Sequence, residues 1–124
     1  MKKILIVDDS ATARSFIKRC LEIVGLRGCD FLEAENGLQA LELMNKNLID
    51  LVFTDYFMPQ MTGEELLKKI KADPGKSNIK VFIISSAGSV TKEKELLSIG
   101  AKAVINKPIS PASIAPFIRG IIIE

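Results

Sequence analysis

Short apolar runs alternate along the chain with segments whose apolar residues recur every three or four positions. The runs are ILIV at 4 to 7, LVF at 51 to 53, VFII at 81 to 84 and AVI at 103 to 105. Each is apolar on consecutive positions and too short for a helix, which predicts strands buried on both faces. Phe31 to Ala34 predicts a shorter, mixed strand. The clearest helix follows the first run: Ala13, Phe16, Ile17, Cys20, Leu21 and Val24 lie at helical spacing, with Ser10 as N-cap and Gly25 as stop. The stripe of Phe16, Ile17 and Leu21 is expected to pack into the core. A second helix carries Leu38, Leu41 and Met44, and a third, after Thr62, carries Leu66, Leu67 and Ile70. Thr91 to Ile99 predicts a more polar helix ended by Gly100. The last segment sets Ser110 as N-cap and Pro111 at the first helical position, ahead of a core stripe of Ile114, Phe117, Ile118, Ile121 and Ile122. Pro116 inside it predicts a bend or a delayed start.

Five strands each followed by a helix call for an α/β fold, a doubly wound (βα)5 parallel sheet with helices on both faces. The flavodoxin-like order 2-1-3-4-5 puts the topological switch point between strands 1 and 3, where a crevice opens at the carboxyl ends. Asp8 and Asp9 follow strand 1, and Asp55 closes strand 3. The predicted topology therefore gathers three carboxylates at that crevice. Ser85 ends strand 4 and Lys107 ends strand 5, adding a hydroxyl and an ammonium along the same edge.

Composition narrows the rest. At 124 residues and 48% hydrophobic content the chain suits one compact domain, 1–124, with no output domain. A formal charge of +2 with scattered basic residues offers little drive toward nucleic acid. Cys20 and Cys29 point to buried thiols in a reducing compartment rather than to a disulfide scaffold. MKKILIV resembles the start of a signal peptide, but Asp8 and Asp9 cut it far short of a secretory or spanning length. A soluble, cytoplasmic protein without membrane contact is expected.

Three carboxylates at close quarters raise one another's pKa and destabilise the fold unless a cation offsets them. Oxygen ligands without His or clustered Cys favour a hard ion, and a half-open site near a phosphate favours Mg2+ over Ca2+. Three carboxylates, one lysine and one divalent ion balance in charge. Asp55 can then attack a phosphoryl group, with the metal and Lys107 stabilising the oxygens that gain charge, to give an acyl phosphate. Each residue also has a plainer reading. Asp8 and Asp9 suit a helix cap or first-turn charge, Asp55 a turn, Lys107 a solvated strand end and Ser85 a loop. Only their shared edge makes a site of them. GKS at 75 to 77 lacks the earlier glycine of a phosphate loop, since Ile70 stands there, and is assigned no function.

The stretches ILIVDDS, EAENGLQAL, DLVFTDYFMPQMTG, VFIISSA and GAKAVINKP, in this order and with these separations, make the chain resemble a receiver domain of bacterial two-component response regulators from end to end. The resemblance implies that Asp55 accepts a phosphoryl group from a sensor histidine kinase or a histidine phosphotransfer protein. It implies that Mg2+ is held by Asp8, Asp9, Asp55 and the Phe57 backbone carbonyl, with Asp9 the closest acidic ligand. Ser85 becomes the hydroxyl that turns toward the phosphoryl group, Lys107 its ion-pair partner, and Lys107-Pro108 a cis peptide. Gly63 lets the turn after Pro59 close. The protein would be a phosphorylated switch rather than an enzyme, acting on a protein target, monomeric before phosphorylation and with dimerisation open after it.

The chain departs from the family pattern in four places. Phe57 and Ala87 are apolar where polar or acidic groups often lie near the hydrolytic water, which predicts slow self-dephosphorylation, with Phe57 also shielding the acyl phosphate. Val104 stands where many receivers carry a switching Tyr or Phe, so the switch is expected to run through the loop from Ser85 to Val90 and the next helix. Pro116 predicts an altered dimer or target face. DDSATAR resembles chemotaxis-type members while Ala87 and Val104 depart from them, so a chemotaxis-type regulator, a phosphorelay intermediate and a receiver cut from a longer protein all stay open. Two other classes are weighed against these. An aspartate-nucleophile phosphohydrolase usually needs a second Asp where Phe57 stands, and a flavin-binding module would want a hydroxyl-rich loop and aromatic stacking in place of DDSATAR and one Tyr.

Overall fold

A computed structural model of the chain describes residues 2–86 and 90–123. Its elements are β1 (Lys3–Val7), α1 (Ala11–Leu21), β2 (Asp30–Ala34), α2 (Gly37–Lys46), β3 (Leu51–Asp55), α3 (Gly63–Ala72), β4 (Lys80–Ser85), α4 (Val90–Ile99), β5 (Ala103–Asn106) and α5 (Pro111–Ile123). The five strands pair in parallel in the order β2-β1-β3-β4-β5, as the alternation of runs and helices predicts.

The two-residue alternation of each strand divides the core in two. Ile4, Ile6, Leu51, Phe53, Phe82, Ile84 and Ile105 face α1 and α5. Leu5, Val7, Val52, Val81, Ile83 and Val104 face α2, α3 and α4. Phe53 and Phe82 are register partners and stack with centroids 4.6 Å apart. Across the sheet, Leu66, Leu67 and Ile70 of α3 are completely buried, each contributing about 1.5–3 kcal/mol relative to an exposed side chain. Because both faces are covered, polar side chains can gather only at the strand ends.

Capping agrees with the sequence. Ser10 accepts the Ala13 N–H at 3.2 Å, Thr62 and Glu65 form a reciprocal capping box, and the Ser110 hydroxyl accepts the Ser113 N–H at 3.1 Å. Several expectations change. Phe16 is 48% exposed and Leu38 is also exposed, so neither belongs to the core stripe, and Phe117 is only partly covered. The apolar arc of each helix is wider in sequence than the strip the sheet covers. A wider turn, Glu22–Leu26, carries α1 on to its predicted stop, where Gly25 at φ 123° breaks the helical geometry. Pro116 does not delay α5, which starts at Pro111 and runs on through it as one helix to Ile123. The proline lies on the solvent side of the helix. The GKS segment is a turn tied by its own polar groups, with Asp73 accepting from the Gly75 N–H at 2.9 Å and pairing with Lys76 at 2.6 Å.

Candidate functional site

β1 and β3 are neighbours, so the residues leaving their carboxyl ends meet. The Asp8 N–H prolongs the β1 ladder by donating to the Ala34 carbonyl at 3.1 Å, and the Tyr56 N–H prolongs β3 by donating to the Ile84 carbonyl at 2.9 Å. Likewise the Lys107 N–H donates to the Ser85 carbonyl at 2.8 Å, one residue beyond β5. The strand alternation carried through these residues sets Asp8, Asp55 and Lys107 on the sheet face of α1 and α5. Ser85 has the opposite parity, that of Val81 and Ile83 on the face of α2, α3 and α4, while Ser86 lines the cleft with Asp8 and Lys107.

Asp8, Asp9 and Asp55 each present a carboxylate oxygen within 4.8 Å of the others. The Lys107 Nζ pairs with Asp55 Oδ1 at 2.8 Å. Asp8 and Asp55 are 3% and 7% exposed, whereas Asp9 is open to solvent. The Ser10 N–H donates to Asp8 Oδ1 at 2.9 Å, and the Thr54 hydroxyl donates to the Asp55 carbonyl at 3.0 Å. Beside the carboxylates a cleft of about 580 Å3 opens between α1 and the segment after β5, lined by Phe16, Ile17, Ile84, Pro108 and Ile109.

Burial is the main cause that lifts the Asp8 carboxyl above its ordinary value of 3.8. The Ser10 N–H pulls it back, the Asp55 charge and the hydrogen bond with Asp9 raise it further, and Lys107 opposes the rise. Folded Asp8 therefore holds its proton more tightly than unfolded Asp8. The resulting destabilisation is complete above the folded pKa and is relieved as pH falls through it toward 3.8. Glu64 and Asp73, held below their ordinary values by Lys92 and Lys76, contribute stability that is instead lost on acidification. The Asp8 effect is thus read as a difference. Without Mg2+, Asp8→Asn is expected to raise the melting temperature by roughly 2–5 °C at neutral pH, and the gain should shrink as pH falls toward 3.8. A gain that is constant or grows in acid would refute this account of Asp8.

The loop after β3 departs from the sequence reading in one respect. The left-handed residue is Gln60, at φ 71°, in a turn closed by the Met61 N–H on the Pro59 carbonyl at 2.8 Å. Gly63 serves another need. A Cβ there would lie 2.6 Å from the Asp55 carbonyl oxygen, and its N–H donates to the Tyr56 carbonyl at 2.8 Å. Glycine lets α3 press against the chain at Asp55 itself. Phe57 follows in this loop, 67% exposed, its ring edge-on to Tyr56 at 4.8 Å. Lys107-Pro108 is cis. Ala87 lies outside the described residues.

Two features escape a reading of the sequence. Arg14, met only as the end of DDSATAR, spans from α1 to the Asp8 carbonyl and to Glu33 on β2. Glu64 at the start of α3 accepts from Lys92 of α4 at 2.9 Å and from the Tyr56 hydroxyl at 3.4 Å. Nothing in the apolar and polar pattern signals these contacts: Arg14–Glu33 and Lys92–Glu64 join segments 19 and 28 residues apart, and the nearer ones depend on how the chain folds back beyond the strand ends.

What the arrangement can do chemically is limited by its groups. A clustered set of oxygen donors, without His or Cys, suits a hard divalent cation. One of those carboxylates, Asp55, is paired with the Lys107 ammonium, which lines the open cleft together with Asp8. No helix among the described residues is long and apolar enough to cross a membrane.

Comparison with known proteins identifies the family and the fold. The sequence pattern of the response regulator receiver domain matches residues 4–119. The chain is 36% identical over 110 residues to a chemotaxis protein CheY homolog of Campylobacter jejuni, covering 88% of this chain and 83% of the relative. It is 42% identical over 107 residues to histidine kinase P4 of Formosa agariphila, covering 86% of this chain but 8% of that protein. In structure it is similar to the chemotaxis response regulator CheY4 of Vibrio cholerae, with a TM-score of 0.85, 26% identity and 98% of each chain covered.

Proposed function

The chain belongs to the response regulator receiver domain family, and from that premise we propose that it is a phosphoacceptor switch in which Asp55 takes a phosphoryl group from a histidine kinase or a histidine phosphotransfer protein. The observation that carries the reading is the pairing of a nearly buried Asp55 with Lys107 inside a group of three carboxylates. An Asp55 carboxylate oxygen attacks phosphorus and the bond to the donor's leaving atom breaks with its electron pair. An acyl phosphate remains on Asp55. Lys107 is within reach of the oxygens that gain charge.

Asp8, Asp9 and Asp55 fit Mg2+ by donor type and closeness, with the Phe57 carbonyl as a further oxygen ligand. Bound there, Mg2+ would offset the repulsion among carboxylates and phosphoryl oxygens. Ser85, at the end of β4, would turn its hydroxyl toward the phosphoryl group. With Val104 buried and small, the response would pass to α4, which buries Leu96 and is tied to α3 through Lys92 and Glu64. The output is a changed affinity for a protein target, and the two free cysteines, Cys20 and Cys29, accord with a cytoplasmic setting.

Incubation with acetyl phosphate and Mg2+, followed by intact mass, tests this reading. One phosphoryl adduct is expected, decaying over hours once the donor is removed. The Phe57 ring leaves most of its surface to solvent, so slow decay rests on the missing polar group rather than on cover. Phe57→Asp should shorten the lifetime about a hundredfold, the lower end of general-base assistance. A wild-type adduct gone within seconds would defeat the lifetime argument, and no adduct at all would defeat the function.

A further inference from the structure

Asp8 is restrained at three groups, and only two of the restraints come from neighbouring backbone. Its N–H is held by the Ala34 carbonyl and its carboxylate by the Ser10 N–H. Its own carbonyl is held by a side chain: Arg14 Nη1 donates to the Asp8 oxygen at 2.7 Å. Arg14 Nε donates at the same time to Glu33 Oε1 at 2.8 Å. The guanidinium thus joins α1, the exit of β1 and the end of β2, and its side chain is only 15% exposed.

Arg14 also closes the first turn of α1, its N–H donating to the Ser10 carbonyl at 3.0 Å. A cation so near a helix N-terminus is unfavourable against the helix dipole. The two charge-assisted contacts offset that cost. Because the peptide is planar, holding the Asp8 carbonyl fixes the plane that carries Asp9. Asp8 and Asp9 must both turn toward Asp55 to bring their oxygens within 4.8 Å, and a freely rotating peptide between them would spread those oxygens apart.

We propose that Arg14, oriented by Glu33, is a positioning residue that sets the Asp8–Asp9 peptide so that both carboxylates converge with Asp55 on one divalent cation. The inference rests on the functional reading above and adds to it a residue that touches neither the metal nor the phosphoryl group. It depends on the fixed fork of the guanidinium, which supplies two donors in one plane. A lysine ammonium keeps the charge but not that geometry.

The test is Mg2+ affinity by titration calorimetry on the whole chain, well below the melting temperature, for wild type, Arg14→Ala, Arg14→Lys and Glu33→Gln. Loss of a group that orients metal ligands commonly costs about 10–100-fold in affinity. Arg14→Ala is expected in that range, Arg14→Lys nearly as weak, and Glu33→Gln a few-fold weaker than wild type. Adduct formation from acetyl phosphate should recover when Mg2+ is raised to saturate each variant. Variants that melt earlier yet bind Mg2+ like wild type would show a merely structural Arg14 and overturn the proposal. Full rescue by Arg14→Lys would overturn it too, since charge alone would then suffice. If Arg14→Ala does not fold, Arg14→Lys and Glu33→Gln decide. Wild type that fails to bind Mg2+ would instead strike down the functional reading, and this inference with it.

Discussion

Asp55→Asn is expected to abolish the phosphoryl adduct that acetyl phosphate and Mg2+ form on the wild-type chain. Asparagine keeps the shape of the side chain and its place at the end of β3, where Asp55 pairs in register with Ile84. It removes the anionic oxygen that attacks phosphorus, and a neutral amide is too weak a nucleophile to replace it. It also takes the charged partner from Lys107, now 2.8 Å from Asp55 Oδ1. The expected loss is complete. Folding should survive, because the sheet and both core layers are formed by apolar residues that the change does not touch. Intact mass on both proteins, beside a melting curve for each, decides the matter. An adduct on folded Asp55→Asn would place the phosphoryl group elsewhere and remove the basis of the proposed switch.

Lys107→Ala should slow adduct formation about a hundredfold, the usual cost of losing one donor aimed at developing charge. The ammonium reaches Asp55 because the Lys107 N–H continues the β5 ladder onto the Ser85 carbonyl. That bond fixes the backbone, and the two-residue alternation fixes the face. Without Lys107, the Mg2+-free protein keeps three close carboxylates with no ammonium among them, so its melting temperature should fall as well, and Mg2+ should restore more stability to the variant than to wild type. Progress curves by mass, at saturating Mg2+, measure the first effect and melting curves the second. An unchanged rate would leave Lys107 a structural ion pair only.

The limits of the sequence can be seen in particular residues. Consecutive apolar positions marked the strands correctly because a parallel sheet covered on both faces has no polar side to display. β2, at the edge, is mixed and begins at Asp30 rather than Phe31. Phe16 and Leu38 share the spacing of core residues, yet the first lines a cleft and both are exposed. Spacing gives a helical face but not how much of that face another element covers. Pro116 looked disruptive, but an outward-facing proline leaves only the Ala112 carbonyl one turn back without its N–H donor, on a side open to water, and the helix continues. The grouping of Asp8, Asp9, Asp55 and Lys107 was legible because each ends or follows a strand, and strand ends in this topology share one edge.

By itself the chain's pattern determined the (βα)5 sheet, its strand order, and the edge at which the acidic residues, the hydroxyl and the ammonium collect. These follow from periodicity and chirality, which are local properties summed over the chain. Only the tertiary structure decided particular contacts: that Gly63 must be glycine because α3 presses on the Asp55 carbonyl, that Gln60 takes the left-handed turn, and that Arg14 reaches across to Asp8 and Glu33. Such contacts depend on distances of a few ångströms set by packing and by how the loops fold back, which the spacing of apolar and polar residues does not encode even where the partners, such as Arg14 and Asp8 or Gly63 and Asp55, lie close in sequence.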